Sequence, residues 1–156
     1  MKVKDLMTAT PCYCGPEANL GTATELMWNN NCGFLPVLSV EGQLIGVITD
    51  RDICIALVTR NCLASQLTVA LVMSGKLYSC GPDDDIHTAL QIMSEAKVRR
   101  LPVRAQNGNL VGVLSINDIV LRAEPLGFGQ TPDLSRDDVV RTLRSIVRER
   151  VLAARA

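Results

Sequence analysis

The feature that most constrains this chain is that it is written twice. The octet Gly46–Ile53, GVITDRDI, returns as Gly112–Ile119, GVLSINDI, at an offset of 66 residues (112 − 46). LPV at Leu35–Val37 returns at Leu101–Val103, and CGP at Cys14–Pro16 returns at Cys80–Pro82. Met7, Met27 and Gly42 match Met73, Met93 and Gly108 in the same register, with no gap. An ordered series at one register is an internal duplication, and it constrains the architecture before any element is assigned. The period is too long for a solenoid repeat and predicts two small modules that face each other.

Each copy reads as the same short programme. Residues 19–30 place Leu20, Ala23, Leu26 and Met27 at helical spacing. Asn29–Asn31 and then Gly33 end that helix, because Asn and Gly tolerate left-handed backbone. FLPVL is a short strand that Pro36 pushes to an edge or terminal position. VEGQ turns the chain through Gly42, LIGVIT is a buried β-branched strand, and Thr49 or Asp50 caps a helix over 51–59. The second copy predicts a helix near 84–96, strands at 101–104 and 110–115, and a helix at 116–123. A further short strand is expected before each first helix, at Cys12–Cys14 and Tyr78–Cys80.

The expected fold class is therefore α/β (α+β). Tandem β-α-β-β-α repeats, residues 1–62 and 63–124, pack about a pseudo-twofold axis, since two helices alone cannot cover one sheet. Residues 125–134 read as a linker from their Pro and Gly content. Residues 135–156 read as an amphipathic C-terminal helix with Ser135 as N-cap and Asp137 and Asp138 at its positive end. Val139, Val140, Leu143, Ile146, Val147 and Val151 form its expected apolar stripe, and Arg141, Arg144 and Arg148 line another, solvated face.

Composition narrows the function. Apolar residues make up 47% of the chain and aromatics 3%, so the core is aliphatic and stacking platforms for single-stranded nucleic acid are scarce. Sixteen basic residues balance sixteen acidic ones, which gives no bias toward a polyanionic partner. Nucleic acid is not an expected partner. No apolar run approaches the ~20 residues of a membrane span, and Lys4 and Asp5 interrupt the place where a signal peptide is apolar. The reading is a cytoplasmic protein with no membrane partner.

The six cysteines, Cys12, Cys14, Cys32, Cys54, Cys62 and Cys80, contain no C-x-x-C pair, and His87 is the only histidine. Finger-type zinc sites are thereby excluded, and the cysteines read as reduced, buried thiols acting as small hydrophobes. Cys12 and Cys14 share one face if extended; a thiol switch or soft-metal site there is the alternative. No Ser/His/Asp set, H-E-x-x-H pair, G-x-x-x-x-G-K-[ST] loop or G-x-G-x-x-G loop is present. No catalytic residue and no metal site is assigned, and enzymatic activity is not expected. His87 and Asp83–Asp85 read as decoration of a helix start.

The octet itself points to a ligand. A strand ends there and the next helix exposes its first N–H groups, a ready place for anions. Thr49 and Ser115 offer a hydroxyl. Asp52 and Asp118, about one turn into the helix, offer a carboxylate that can accept two hydrogen bonds side by side, the complement of a ribose diol. The helix dipole alone also favours a carboxylate at that place. Recurrence at one register, with LPV before it each time, favours the ligand.

The joint pattern M-T … C-G-P … LPV … G-x-L-x-G-V-[IL]-[TS]-x-x-D-I resembles the cystathionine β-synthase (CBS) domain, whose tandem pair is called a Bateman module, over residues 3–123. The resemblance implies a β-α-β-β-α fold per repeat, often a disc-like homodimer, and a regulatory role on a protein target that the sequence leaves unidentified. It implies binding of an adenosine-type ligand (AMP, ADP, ATP or S-adenosylmethionine) with no cofactor required. Position by position, it implies Asp52 and Asp118 as ribose carboxylates and Thr49 and Ser115 as hydroxyls on ribose or phosphate. Tyr13 and Ser79 fall where the nucleoside pocket usually has Thr, with Pro11, Cys12, Leu77, Tyr78 and Val98 flanking adenine.

The resemblance further implies that basic residues just before x-P-V of one repeat meet phosphates held by the other. Arg99 and Arg100 stand there in the second repeat, Gly33 and Phe34 in the first. With Arg51, replaced by Asn117 in the second octet, they predict a phosphate-binding cleft on Thr49, Arg51 and Asp52, opposed in part by Asp50. The cleft on Ser115 and Asp118 is expected to be phosphate-poor. The alternative is a ligand-free interaction protein or a thiol-responsive one acting through dimerisation.

Overall fold

Local sequence rules build both copies alike in the computed structural model, which describes residues 1–125 and 132–153. In chain order the elements are β1 (Thr8–Ala9), α1 (Leu20–Asn29), β2 (Phe34–Leu38), β3 (Leu44–Thr49), α2 (Asp50–Arg60), α3 (Ile86–Ala96), β4 (Arg100–Arg104), β5 (Leu110–Ser115), α4 (Ile116–Arg122) and α5 (Arg136–Ala153). Asn19 caps α1 by accepting from the Thr22 N–H at 2.9 Å, and Asp85 caps α3 through the His87 N–H at 2.9 Å. Asn31 and Lys97, equivalent in the duplication, both take left-handed φ (48° and 58°) just beyond those helices. Gly42 and Gly108, at φ 79° and 89°, make the two hairpin turns.

The expected leading strands reduce to single bridges. Cys14 pairs in parallel with Val37, and Cys80 with Val103. The proline of LPV is the reason. The Cys14 N–H donates to the Pro36 carbonyl at 3.1 Å and the Leu38 N–H donates to the Cys14 carbonyl at 3.0 Å. Pro36 therefore turns its nitrogen, as well as its carbonyl, toward this edge. Having no N–H, it cannot extend the ladder to the Cys12 carbonyl. Pro102 does the same beside Cys80, with bonds of 3.2 and 2.9 Å.

The compact units do not follow the repeat boundaries. One unit holds Cys12–Leu77 with Gly108–Leu110; the other holds Met1–Pro11, Tyr78–Asn107 and the described residues from Val111 onward. In the first unit β2 and β3 pair antiparallel from Phe34↔Thr49 to Leu38↔Leu44, and Ser74 bridges Val47. In the second the strand order is β1-β5-β4, with Thr8 opposite Val113. Thr8 and Ser74 are equivalent residues 66 apart, so each copy's leading segment completes the sheet built on the other copy.

The repeated glycines follow from that exchange. A Cβ on Gly112 would lie 2.5 Å from Met7 Sδ and 3.0 Å from the Thr8 carbonyl; on Gly46 it would lie 2.8 Å from Met73 Sδ and 3.0 Å from the Ser74 carbonyl. Only hydrogen lets the incoming segment cross so closely. The Met and Gly of the duplication are thus one packing contact.

The first core joins Leu20 and Met27 of α1, Leu35 and Ile48 of the sheet, and Val69; the second joins their counterparts Ile86, Met93, Leu101 and Leu114 with Val3. The second core gains Leu134, Val139 and Ile146 at the C-terminal helix. There α5 buries Val139, Thr142 and Ile146, with Leu143 packed against them, while Val140 and Val147 stay 49% and 52% exposed. This corrects the expected stripe. Positions 139, 142, 143 and 146 follow the 3.6-residue period, and 140 and 147 sit one step round the helix. Arg141, Arg144 and Arg148 are exposed. The Val151 side chain and linker residues 126–131 fall outside the described residues. None of the described helices is long and apolar enough to cross a membrane.

Candidate functional site

The strand-to-helix junctions β3–α2 and β5–α4 carry the paired octet residues. Thr49 Oγ1 accepts from the Asp52 N–H at 3.2 Å, while Asp52 Oδ2 accepts from the Thr49 N–H at 3.0 Å and the Thr49 hydroxyl at 2.6 Å. Ser115 and Asp118 repeat this at 3.3, 2.8 and 2.6 Å. Each is a capping box, with Asp in the place of the more usual Glu. All four residues are half-buried. Every bond falls on Oδ2; among the described residues no donor reaches Oδ1 of Asp52 or Asp118.

A third box shows what the motif does unaided. Ser135 and Asp138, at the start of α5 and outside either octet, make the same three bonds at 3.2, 3.0 and 2.6 Å. The Ser135 hydroxyl, its backbone N–H and the nearby His87 ring hold the Asp138 carboxyl below the usual carboxylate range, against the opposing effect of burial. The S/T-x-x-D pattern therefore suffices to start a helix, and only its setting within the octet bears on a ligand. Sequence reasoning placed Ser135 and Asp138 near one helix end but not in one box, because nothing repeated them.

The arginines divide between the units, Arg51 in the first and Arg99 and Arg100 in the second. Arg99, Arg100, Ser115, Ile116 and Asn117 line one hollow of about 90 Å³ in the second unit, where the Ile116 N–H donates to the Arg99 carbonyl at 2.9 Å. The sequence grouped these arginines with Thr49, Arg51 and Asp52; within their own unit they flank the second octet. Hairpin register explains it. Phe34 pairs with Thr49 in the first unit, and the residues 66 further on are Arg100 and Ser115. Arg51 is exposed on the first turn of α2. Among the described residues no carboxylate forms an ion pair with Arg51, Arg99 or Arg100.

The residues expected around a base divide between the units. Cys12, Tyr13 and Leu77 belong to the first; Pro11, Tyr78, Ser79 and Val98 belong to the second. Tyr13 is 55% exposed, Cys12 packs on the first core, and Tyr78 and Val98 pack on the second.

The thiols meet the expectation of burial only in part: Cys12, Cys32 and Cys62 are half-buried and Cys54 is exposed. Cys14 and Cys80 are buried, and burial pushes their thiols up to about 11 and about 12. Cys12 Sγ lies 3.6 Å from Cys32 Sγ. Its partner is thus a residue of the turn after α1 rather than Cys14, its neighbour on the strand face. Among the described residues no three His, Cys, Asp or Glu side chains are grouped to hold a metal ion. The acidic run is otherwise engaged: Asp83 pairs with Lys2 and Lys4, Asp84 accepts from the Gly81 N–H, and Asp85 caps α3. His87 Nδ1 lies 2.9 Å from Asp85 and Nε2 lies 3.6 Å from Asp138.

Comparison with known proteins fits this geometry. A family model described as CBS domain matches residues 3–59 and 69–124. The CBS domain-containing protein YhcV of Bacillus subtilis (strain 168) is 37% identical over 119 residues, 76% of this chain and 83% of that protein. The solved CBS domain pair of protein MJ0100, in complex with 5′-methylthioadenosine and S-adenosyl-L-methionine, matches with a TM-score of 0.71 and 23% identity over 78% of this chain and 94% of that one. CBSX2 in complex with AMP matches with a TM-score of 0.65 and 23% identity over 93% and 97%. At that identity the two structures show a shared fold.

Proposed function

The chain belongs to the CBS domain family in both of its copies, and from that premise we propose that it is a regulatory module that binds an adenosine-containing ligand and signals its occupancy to a partner protein in trans. AMP, ADP, ATP and S-adenosylmethionine are the candidate ligands. The module acts as a cytoplasmic homodimer and carries out no catalysis itself.

The observation that carries this reading is the twofold hydroxyl–carboxylate pair. Asp52 and Asp118 each spend one oxygen on a capping box, and among the described residues no donor reaches the other. A ribose diol brings two donors at the spacing a carboxylate accepts. Arg51 beside the first pair and Arg99 and Arg100 beside the second supply guanidinium groups, which match phosphate oxygens two at a time. An anionic end is accordingly assigned to the second octet as well as the first. Base surroundings are assigned unit by unit, to Cys12, Tyr13 and Leu77 in the first and to Pro11, Tyr78, Ser79 and Val98 in the second. The three ligands held by MJ0100 and CBSX2, all adenosine compounds, support the ligand class. Such a ligand moves a partner surface only by binding two arrangements of the module unequally.

The test is a melting experiment with AMP, ADP, ATP, S-adenosylmethionine and NAD, alongside mass analysis of whatever copurifies. A ligand at ~100 times its dissociation constant adds about 2.7 kcal/mol, or roughly 5–11 °C for a chain of this size. No shift with any of the five, and no copurifying nucleotide, overturns the reading.

A further inference from the structure

We propose that Cys12 and Cys32 form a reversible dithiol–disulfide pair, a redox modification site confined to the first unit; it does not rest on the ligand reading above, although Cys12 has a place in both. Their sulfurs are 3.6 Å apart, so bond formation at about 2.05 Å requires an approach of only ~1.5 Å. Neither residue lies inside a helix or a strand. Cys12 lies just outside the bridge at Cys14, at the point where Pro36 denies its carbonyl a ladder partner. Cys32 lies in the turn between α1 and β2, directly after the left-handed Asn31.

Proximity combined with access separates this pair from the other thiols: Cys62 is half-buried but donates to the Arg60 carbonyl, and Cys54 is exposed. Cys12 and Cys32 are half-buried, whereas Cys14 and Cys80 are core residues. Cys32 also lines a hollow of about 650 Å³ on the face of α1 and α2, together with Trp28, Ile53, Cys54 and Leu57. That opening admits a small disulfide. In the second copy the equivalent positions are Tyr78 and Val98, both packed on the core. The duplication therefore makes these two positions core-packing sites in each copy, and only the first copy places thiols at both.

The chemistry balances with a low-molecular-weight disulfide, RSSR, as oxidant. The Cys32 thiolate attacks one sulfur of RSSR, forming a mixed disulfide and releasing RS⁻, which takes up a proton. The Cys12 thiolate then attacks the Cys32 sulfur and expels the second RS⁻. Two electrons and two protons pass from the cysteines to RSSR, giving two RSH and the Cys12–Cys32 bond. The order follows from position: Cys32 meets the hollow, and burial, together with the neighbouring Cys32 thiol, pushes the Cys12 thiol up to about 11. Cys12 becomes an effective nucleophile only when the mixed disulfide is held beside it.

The experiment equilibrates the reduced full-length protein in oxidised and reduced glutathione at graded ratios, quenches with acid, alkylates and digests at glutamate. Glu17 and Glu25 lie between the two cysteines, whereas no Lys or Arg does. Mass spectrometry is expected to find a peptide joining Cys12 to Cys32, two hydrogens lighter than the separate peptides and abolished by dithiothreitol. Oxidation is also expected to raise the melting temperature of the wild type. Cys12→Ser is expected to stop at a glutathione adduct on Cys32, while Cys54→Ser leaves the cross-link intact. The wild-type measurement decides the matter without any variant. Free Cys12 and Cys32 at every ratio, a lasting adduct on Cys32 beside free Cys12, or linkage to other cysteines instead, overturns the proposal.

Discussion

Replacing each capping-box aspartate in turn separates helix starting from ligand binding. Asp52→Ala removes the acceptor of the Thr49 N–H and hydroxyl bonds, at 3.0 and 2.6 Å, and leaves the Thr49 cap on residue 52 in place. Loss of part of a cap costs about 0.5–2 kcal/mol, and loss of a carboxylate from the first turn costs about 0.3–1 kcal/mol. The expected total is about 1–2 kcal/mol, or a melting temperature lower by roughly 2–8 °C. Asp118→Ala and Asp138→Ala are expected to cost the same, since corresponding bonds in the three boxes agree to within 0.2 Å. Urea unfolding measures this loss. Titration calorimetry with the ligand found by the melting panel then tells the three apart. Asp52→Ala and Asp118→Ala are expected to weaken binding, and Asp138→Ala to leave it unchanged. Asp52→Asn keeps one acceptor oxygen for the box, so it should recover stability without recovering the ribose contact. The reasoning fails if Asp138→Ala weakens binding as much as Asp52→Ala, or if all three variants lose stability while ligand affinity stays intact.

Two further outcomes follow from the packing and the charges. Gly112→Ala drives a methyl group against Met7, whose thioether can swing away, and against the Thr8 carbonyl, which is held in the sheet. A cost of about 1–3 kcal/mol is expected, with faster hydrogen exchange over residues 3–9. Gly46→Ala should instead loosen residues 69–74, and the opposite assignment would contradict the exchange of leading segments. For pH, the Asp138 carboxyl is held below its ordinary value in the folded chain by the Ser135 hydroxyl. Its contribution is therefore complete above the unfolded-state value near 4 and is lost as pH falls through the lower folded value. Unfolding midpoints taken from pH 6 down to pH 3 should decline through this window, and Asp138→Asn should flatten the decline.

What the residues determined alone is the local half of the description. The duplication, the order of the helices and hairpins, the cap at Thr49 and the Gly42 and Gly108 turns are legible because capping, turn chemistry and helical period act over three or four residues. The two octet pairs are legible for the same reason, and only their repetition singles them out from the box at Ser135. The nearness of Arg100 to Ser115, which line one hollow, was also within reach, through hairpin register. Other features depended on tertiary structure. Met7 could dock on Gly46 or Gly112 by any local rule, since the duplication gives both strands the same glycine. The folded chain seats it on Gly112, and Met73 on Gly46. Cys12 finds Cys32 across 20 residues, and Val139 and Ile146 of α5 find the second core rather than the first. Duplicated surfaces are alike to any local reading, so the choice between them belongs to chain connection and packing, which leave no periodic trace in the sequence.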